Sequence, residues 1–581
     1  MENKICRQCG ISFIVSDDDL KFLEKISPEF TPPSLEASAR QGKKYLIPSP
    51  TLCPTCRLQR RLAHRNERKL YKRKCDATGK DIVSLYSPNK PYKVFDQEYW
   101  WSDKWEAMDF GQDYDFSRPF FEQFKELYDR VPKLNIINSG SENSEYTNLA
   151  AYNKNCYMIV ESSNNENCYY DYWIQLSKNL VDSCYAHQSE IGYWNSDIRE
   201  GYNLQFCRKA INCRDSFFLE DSVGCKNCFA GTNLHNKEYY LFNQPANKEQ
   251  FEETLQIWQQ GNQEERRALY EKINKFFSEQ PLKAGRIVNS ENCVGDYISD
   301  SKDCYMCFDA SESESCRYCS DVMRNVKEAM DTSTAGLDCE LMYECLNTAI
   351  NVYKMAFTNV CWTNLKNVLY SMYCYKSEDI FGCVGLRDHK QYCILNKQYT
   401  KEEYERLIPN IIGHMISTGE WGEFFPMNVS AYGYNETVAQ DHFVLTKDEA
   451  EKLGANWEDG DFTPKYDGEV YKPKPIDLFQ LKNNPQAQTE IDLCLKGIIK
   501  CEKSGRPFKI LPQELAFYIE NNIELPKIHP DERHLERINN RHHYKLEKIN
   551  CDNCGQEIST SLPKNIGRKI YCEECWQKSF L

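Results

Sequence analysis

Asn155-Cys-Tyr-Met-Ile-Val-Glu-Ser-Ser-Asn-Asn-Glu-Asn-Cys168-Tyr169 holds one local form twice, twelve residues apart: a turn-type polar residue, then cysteine, then an aromatic. Asp303-Cys304-Tyr305 repeats it far downstream. Around these points a mostly small or apolar residue recurs every ten to twelve positions: Glu145, Cys156, Cys168, Leu180, Ile191, Tyr202, Cys213, Cys225. The same ladder returns 148 residues later as Cys293, Cys304, Cys316, Glu328, Cys339, Ile350, Cys361, Tyr373. Such a step is too short for a helical repeat unit and about right for one short strand plus a turn. Two steps then predict a coil of about 22–24 residues in a parallel β-solenoid. Asn, Asp and Ser suit its corners, and Cys, a small hydrophobe, suits its interior. Glu145 and Glu328 do not, so the ladder is expected to fray there. The pairs Cys225/Cys228, Cys304/Cys307 and Cys316/Cys319 read as buried thiols rather than ligands, because residues i and i+3 face opposite sides of a strand.

Composition narrows the setting. A chain of 581 residues exceeds what one core usually supports, so several domains are expected. The formal net charge is -14, which disfavours a protein coated by nucleic acid but leaves room for a local basic site. Mean hydropathy is -0.69 and no eighteen-residue apolar run occurs, so no membrane span is expected. The 29 cysteines are odd in number and no export signal opens the sequence, which points to reduced thiols and a cytoplasmic location.

The terminal cysteines are spaced as metal ligands. Cys6-Arg-Gln-Cys9-Gly10 pairs with Cys53-Pro-Thr-Cys56 across an excursion whose residues 17–26 look helical. At the other end, Cys551-Asp-Asn-Cys554-Gly555 pairs with Cys572-Glu-Glu-Cys575. Each C-x2-C presents two thiolates from one tight turn, and two pairs complete the closed tetrahedron of a structural zinc. Two structural zinc ions are therefore expected. A third, eroded copy precedes the last module. Cys501-Glu-Lys-Ser504-Gly505 follows the pattern of Cys6 to Gly10, and His529-Pro-Asp-Glu532-Arg533 stands where Cys53 to Arg57 stood. It reads as a fold copy that has lost its zinc, the alternative being a rearranged site of Cys494, Cys501 and His529.

After Cys56 comes a run with nine Lys or Arg against one acid, of which Arg57, Arg60, Arg61, Arg65, Arg68, Lys69, Lys72 and Arg73 are candidate phosphate contacts. Leu58, Leu62 and Leu70 suggest a helix leaning on the zinc module, its cationic face open to a nucleic acid or ribonucleoprotein. The competing reading pairs that helix with the protein's own acids. Residues 92–124, rich in Trp, Tyr and Phe, are expected to pack on the first coil and cap it. No phosphate-binding Gly loop, dinucleotide fingerprint or nucleophile–base motif is found.

The chain so divides into an N-terminal zinc-ribbon module with the basic helix (1–75), an aromatic-rich linker and cap (76–139), a first array (140–245), a helical spacer (246–288), a second array (289–397), a helical segment (398–420), a connector (421–490), a degenerate zinc-ribbon-like module (491–546) and a C-terminal zinc ribbon (547–581). The expected fold class is mainly β with helical insertions: two tandem parallel β-solenoid-like arrays flanked by small zinc-ribbon or treble-clef-like modules. The expected function is a non-enzymatic zinc-binding scaffold that contacts a nucleic acid or ribonucleoprotein through the N-terminal module and a protein partner through the solenoid. The alternatives are a solenoid-groove enzyme or carbohydrate-binding protein, and a self-assembling structural protein.

Cys6-x2-Cys9 with Phe13, Asp19, Phe22 and Cys53-Pro-x-Cys56-Arg57 resembles a zinc-ribbon module common in bacterial proteins. A longer string resembles a family of large cysteine-rich hypothetical proteins of small-genome candidate-phylum bacteria. It runs through Arg65-Asn-Glu-Arg68, Tyr86-Ser-Pro88, Trp100-Trp-Ser-Asp103, Phe116-Ser-Arg-Pro-Phe120, Tyr434-Asn-Glu-Thr437, Pro512-Gln-Glu-Leu515 and Tyr571-Cys-Glu-Glu-Cys575. The resemblance implies zinc ligands at Cys6, Cys9, Cys53, Cys56, Cys551, Cys554, Cys572 and Cys575. It also implies cysteine where this chain has Ser504 and Glu532, so the third module departs from the family's ligand set. It carries architecture and no activity.

Overall fold

The computed structural model describes residues 1–30, 42–462, 466, 468–480, 486–541, 543–563 and 566–580. Strands dominate, with helices between and around them, and two large sheets are parallel through most of their extent. In the first, Tyr172–Gln175 pairs with Cys184–His187, that strand with Ser196–Arg199, and that with Arg208–Ile211. Lys178–Val181, Glu190–Tyr193 and Tyr202–Gln205 form a second line. Every partner lies twelve residues on, and isolated bridges such as Glu145 to Tyr157 and Tyr157 to Tyr169 carry the same offset back to residue 142. The pairing period is thus one step of the sequence ladder, not the two steps of the expected 22–24-residue coil.

The backbone explains how so short a period closes. From Gly140 to Phe242 every third residue is left-handed, with φ from 46° to 65°. From Thr147 to Leu234 the residue after each of them is buried: Cys156, Ile159, Ser162, Asn165 and Cys168 are all at most 2% exposed. The third residue of each triplet faces out. A left-handed position costs roughly 1 kcal/mol outside glycine, least for Asn and Asp, so the repetition has to be held by something else. Inward side chains supply it. Cys156 Sγ donates to the Lys154 carbonyl, and Ser162 Oγ donates to the Val160 carbonyl while accepting from Ile174 N–H in the next turn of chain. Asn165 does both jobs, donating to the Ile174 carbonyl and accepting from Ser177 N–H. Cys, Ser and Asn thus share one task, which is to satisfy backbone groups that would otherwise be buried and unpaired. Cys304 and Cys307, one triplet apart, both point inward and donate to carbonyls. The opposite-face expectation fails because a left-handed corner lies between them.

The second array runs through Val294–Ser299, Tyr305–Glu314, Ser320–Gly336, Cys339–Ala349, Val352–Trp362, Leu365–Met372 and Glu378–Phe381. Its middle strands pair at an offset of thirteen, as in Val326 with Cys339 and Cys339 with Val352. The extra residue is absorbed at doubled left-handed corners: Arg324–Asn325, Leu337–Asp338, Ile350–Asn351 and Thr363–Asn364.

The arrays lie side by side in opposite directions. Tyr185 donates to Asp321 at 3.1 Å, Arg541 bridges Asp197 and Asp309, and Arg286 pairs with Asp221. The helices Lys248–Gln260 and Lys401–Thr418 follow the arrays, each opened by a capping box, and seat Phe251 on Tyr239 and Tyr404 on Tyr392.

Two expectations are corrected by packing. The aromatic segment touches the start of the first array through Gln97, which bonds Asn138 in both directions, while its rings lie against the late turns of the second array, with Phe120 on Tyr370 and Phe381 and Trp101 on Tyr375. Residues 421–439 of the connector are core, since Phe424, Phe425 and Tyr432 are buried in the same cluster. Residues 463–465, 467 and 481–485 of that connector lie outside the described residues. No helix among the described residues is long and apolar enough to cross a membrane.

Candidate metal centres

Each terminal module is a two-stranded hairpin facing the start of a helix. Glu2–Ile5 pairs with Ser12–Val15, and the turn between them carries Cys6 and Cys9. Gly10 (φ 73°) lets the chain return, so that Gly10 N–H reaches the Cys6 carbonyl and Cys6 N–H the Ile11 carbonyl, both at 2.9 Å. Cys53 precedes the helix Pro54–Leu62 and Cys56 sits in its first turn. The C-terminal module repeats this with Glu547–Asn550, Glu557–Thr560, Gly555 (φ 74°) and the helix Glu573–Lys578.

In each module the four thiol sulfurs lie within 4.8 Å of one another. A tetrahedral zinc with bonds of about 2.3 Å requires sulfurs about 3.8 Å apart. Cys9 to Cys53 and Cys554 to Cys572 are each 3.8 Å. The donor set and spacing fit such an ion. Three thiols of each set are buried and the fourth, Cys9 or Cys554, is exposed. The Cys53 thiol is pulled down to about 5 by its hydrogen bond with Cys56. Burial opposes ionisation of Cys551, but the backbone N–H groups of Cys554, Cys572 and Asn553 outweigh it and bring that thiol to about 6. Depressed thiols of this kind are ready to be thiolate ligands.

The third module has the same backbone with other side chains. Cys501 N–H reaches the Arg506 carbonyl, Gly505 (φ 70°) closes the turn, and the helix Pro530–Asn539 follows His529. His529 N–H and Ser504 N–H both point at Cys501 Sγ, while His529 Nδ1 accepts from Asp531 N–H. Cys494 lies apart, in the helix Ala487–Lys496. Among the described residues, only the two terminal sets bring three or more candidate ligand atoms together.

A fourth copy, not anticipated from the sequence, surrounds Cys75 and straddles the expected boundary at 75. Tyr71–Lys74 pairs with Asp81–Ser84, Cys75 N–H reaches the Lys80 carbonyl, and Gly79 (φ 71°) closes the turn. Asp96 N–H donates to Cys75 Sγ at 3.3 Å, as Cys572 N–H does to Cys551 Sγ. Val94 N–H donates to Asp76 as Ile570 N–H does to Asp552. Cys75, Thr78, Asp96 and Tyr99 therefore stand where Cys551, Cys554, Cys572 and Cys575 stand. A hydrogen bond from Thr78 to Asp96 at 3.0 Å ties the two halves that an ion ties in its counterpart. The available signal was the glycine: Cys-x2-Thr78-Gly79 keeps the position of Gly10, Gly505 and Gly555.

The basic segment is not a surface. Arg57 and Arg61 grip Asp331 at 2.8 and 3.2 Å, and Arg61 also holds Glu344. Arg60 joins Glu344 to Glu423, and Arg65 pairs with Glu67 and Glu161. Arg61 is 0% exposed. Arg68 and Lys69 turn to Asp531, and Arg73 bonds Asp76. Of the candidate phosphate contacts Lys72 is exposed and Arg68, Lys69 and Arg73 are half-buried. Most of the acids that claim these cations lie far off in sequence: Asp331 and Glu344 in the second array, Glu161 in the first, Glu423 in the connector and Asp531 in the third module, which is why the segment alone looked cationic. The third module does the same to the first array: Arg533 and Arg537 grip Asp182, and Arg541 reaches Asp197 and Asp309. Asp182 and Asp331 are 149 residues apart, and Glu161 and Asp309 148, so the two clamps are copies of one another.

No family model and no curated protein matches the chain. Among solved structures, one described as a "putative acetyltransferase" from Desulfovibrio desulfuricans G20 is 8% identical over 46% of this chain and 69% of that chain, at a TM-score of 0.10. A likeness so slight carries no argument about fold or activity.

Proposed function

We propose that this chain is a non-catalytic scaffold stabilised by two structural zinc ions, built on two parallel β-solenoids that wind once per twelve or thirteen residues. The observation that carries the zinc reading is the pair of four-thiol sets at tetrahedral spacing. Four thiolates leave no open coordination position, so the ions hold structure rather than substrate. The solenoid reading is supported by the constant register and the left-handed residue in every triplet. The outward residues of the arrays would meet a protein partner. The arginines that recommended a nucleic acid are committed to internal carboxylates, so phosphate contact would fall to Lys72 and its neighbour Lys74. Metal analysis of the purified chain tests the zinc reading: two zinc ions per chain are expected, falling to one in Cys6→Ser/Cys9→Ser and to one in Cys551→Ser/Cys554→Ser. A chain that folds with no bound metal overturns it. Salt-dependent anisotropy with RNA and DNA tests the partner, and steep binding lost in Lys72→Glu/Lys74→Glu would move the reading to a nucleic-acid binder.

A further inference from the structure

The seam between the arrays opens at one end into a groove of about 230 Å³. Its floor is small: Ala151 and Ser163 from the first array, Gly336 and Ala349 from the second. Trp173 and Trp362 also line it. The Trp362 indole is fixed by a 2.7 Å hydrogen bond to the Asn347 carbonyl, whereas Trp173 Nε1 is buried with no hydrogen-bond partner. Arg324, exposed at its edge, lines the same space and bonds Gln175, with no ion pair to a carboxylate among the described residues. Glu161 also borders it but belongs to the Arg65 clamp.

The duplication makes this groove more than a packing gap. The column Gly336, Ala349, Trp362 of the second array corresponds to His187, Arg199, Ile211 of the first, which pair in the same outward register. Where the first copy carries an imidazole and a guanidinium, the second carries a hydrogen and a methyl. The two copies share a backbone plan, so the side chains decide which end of the seam is open.

We propose that this groove binds a flat aromatic carboxylate. The small floor leaves room for a ring beside the two indoles that line the groove, where offset or edge contacts are favourable. The exposed Arg324 guanidinium supplies a charge-assisted partner for the carboxylate. The site is independent of the zinc reading, because none of its residues touches a four-thiol set.

The test is calorimetric titration of the intact, zinc-loaded chain with 2-naphthoate, and with 2-naphthol as its uncharged counterpart. One saturable site is expected. Ala349→Arg, which gives the second array the residue type of Arg199 at a partly exposed position, should abolish binding while leaving circular dichroism and zinc content unchanged. Arg324→Gln should weaken 2-naphthoate by about tenfold, the scale of one charged hydrogen bond, and leave 2-naphthol as it was. Trp173→Ala, which removes one of the two rings, should weaken both ligands several-fold. The proposal is overturned by the absence of saturable 2-naphthoate binding up to its solubility, by undiminished binding in a folded Ala349→Arg chain, or by an Arg324→Gln effect equal for both ligands.

Discussion

Replacing Asp331 by Asn tests whether the basic helix serves the interior. Asp331 is 0% exposed and accepts from Arg57 at 2.8 Å and Arg61 at 3.2 Å. Arg61 has no reserve, because its Nε and Nη2 are already buried without partners. After the substitution two buried guanidinium groups lose their shared counter-charge, and Glu344 alone remains for Arg61. Removing one partner of a buried ion pair costs about 3–5 kcal/mol, against about 0–1 kcal/mol for an exposed pair. With a urea slope of about 3 kcal/mol/M, the transition of the part that contains this clamp should fall by roughly 1–1.7 M. Asp182→Asn, its counterpart beneath Arg533 and Arg537, should act equally on the first array. Urea unfolding followed by tryptophan fluorescence measures both, with zinc content monitored in parallel. A shift of no more than about 0.3 M, the scale of an exposed pair, would show that these arginines do not hold the arrays. Arg60→Glu/Arg61→Glu/Arg65→Glu, the variant that a surface reading recommends, should instead fail to fold.

Three other outcomes follow from the same geometry. Burial holds the His64 imidazole down to about 4, helped by the neighbouring Arg60 and opposed by its bond to the Phe425 carbonyl. The unfolded state therefore binds the proton first as pH falls. Stability present above about 6.5 should decline toward pH 4 by up to about 3 kcal/mol, and His64→Gln should remove that part of the slope in urea titrations across this range. Ser504→Cys/Glu532→Cys should give the third module a Cys501, His529 and two new thiolates on a backbone already shaped for metal, raising zinc from two to three per chain; unchanged metal content would mean that the His529 ring cannot turn toward the site. Chelation, or Cys554→Ser, should melt residues 547–578 and expose their amides to hydrogen exchange, because this module has only a small apolar cluster besides its thiols. Protection unchanged by chelation would show that the strand pairing of Leu282 with Ile570 suffices without the ion.

The sequence by itself determined the local chemistry. Cys6, Cys9, Cys53, Cys56 and Cys551, Cys554, Cys572, Cys575 could be read as two ligand sets because chelation by a tight turn depends on spacing alone. The helix Asp17–Ile26, the eroded copy at Cys501 and the 148-residue duplication were legible for the same reason: each is a pattern along the chain. Asn155-Cys156-Tyr157 even displayed the structural triplet, but its period of three was masked by the more visible ladder of cysteines. The winding depended on φ at Asn155, Met158 and Glu161, and for Met and Glu no residue preference announces a left-handed corner. Tertiary structure alone decided where the arginines go. Arg57 and Asp331 are 274 residues apart, and a cation's partner at that distance is set by packing, not by its neighbours in sequence. The groove belongs to the same class of fact. Ala151 and Ala349 are unremarkable until two antiparallel arrays bring them to one floor, and only there does the loss of a side chain become a space.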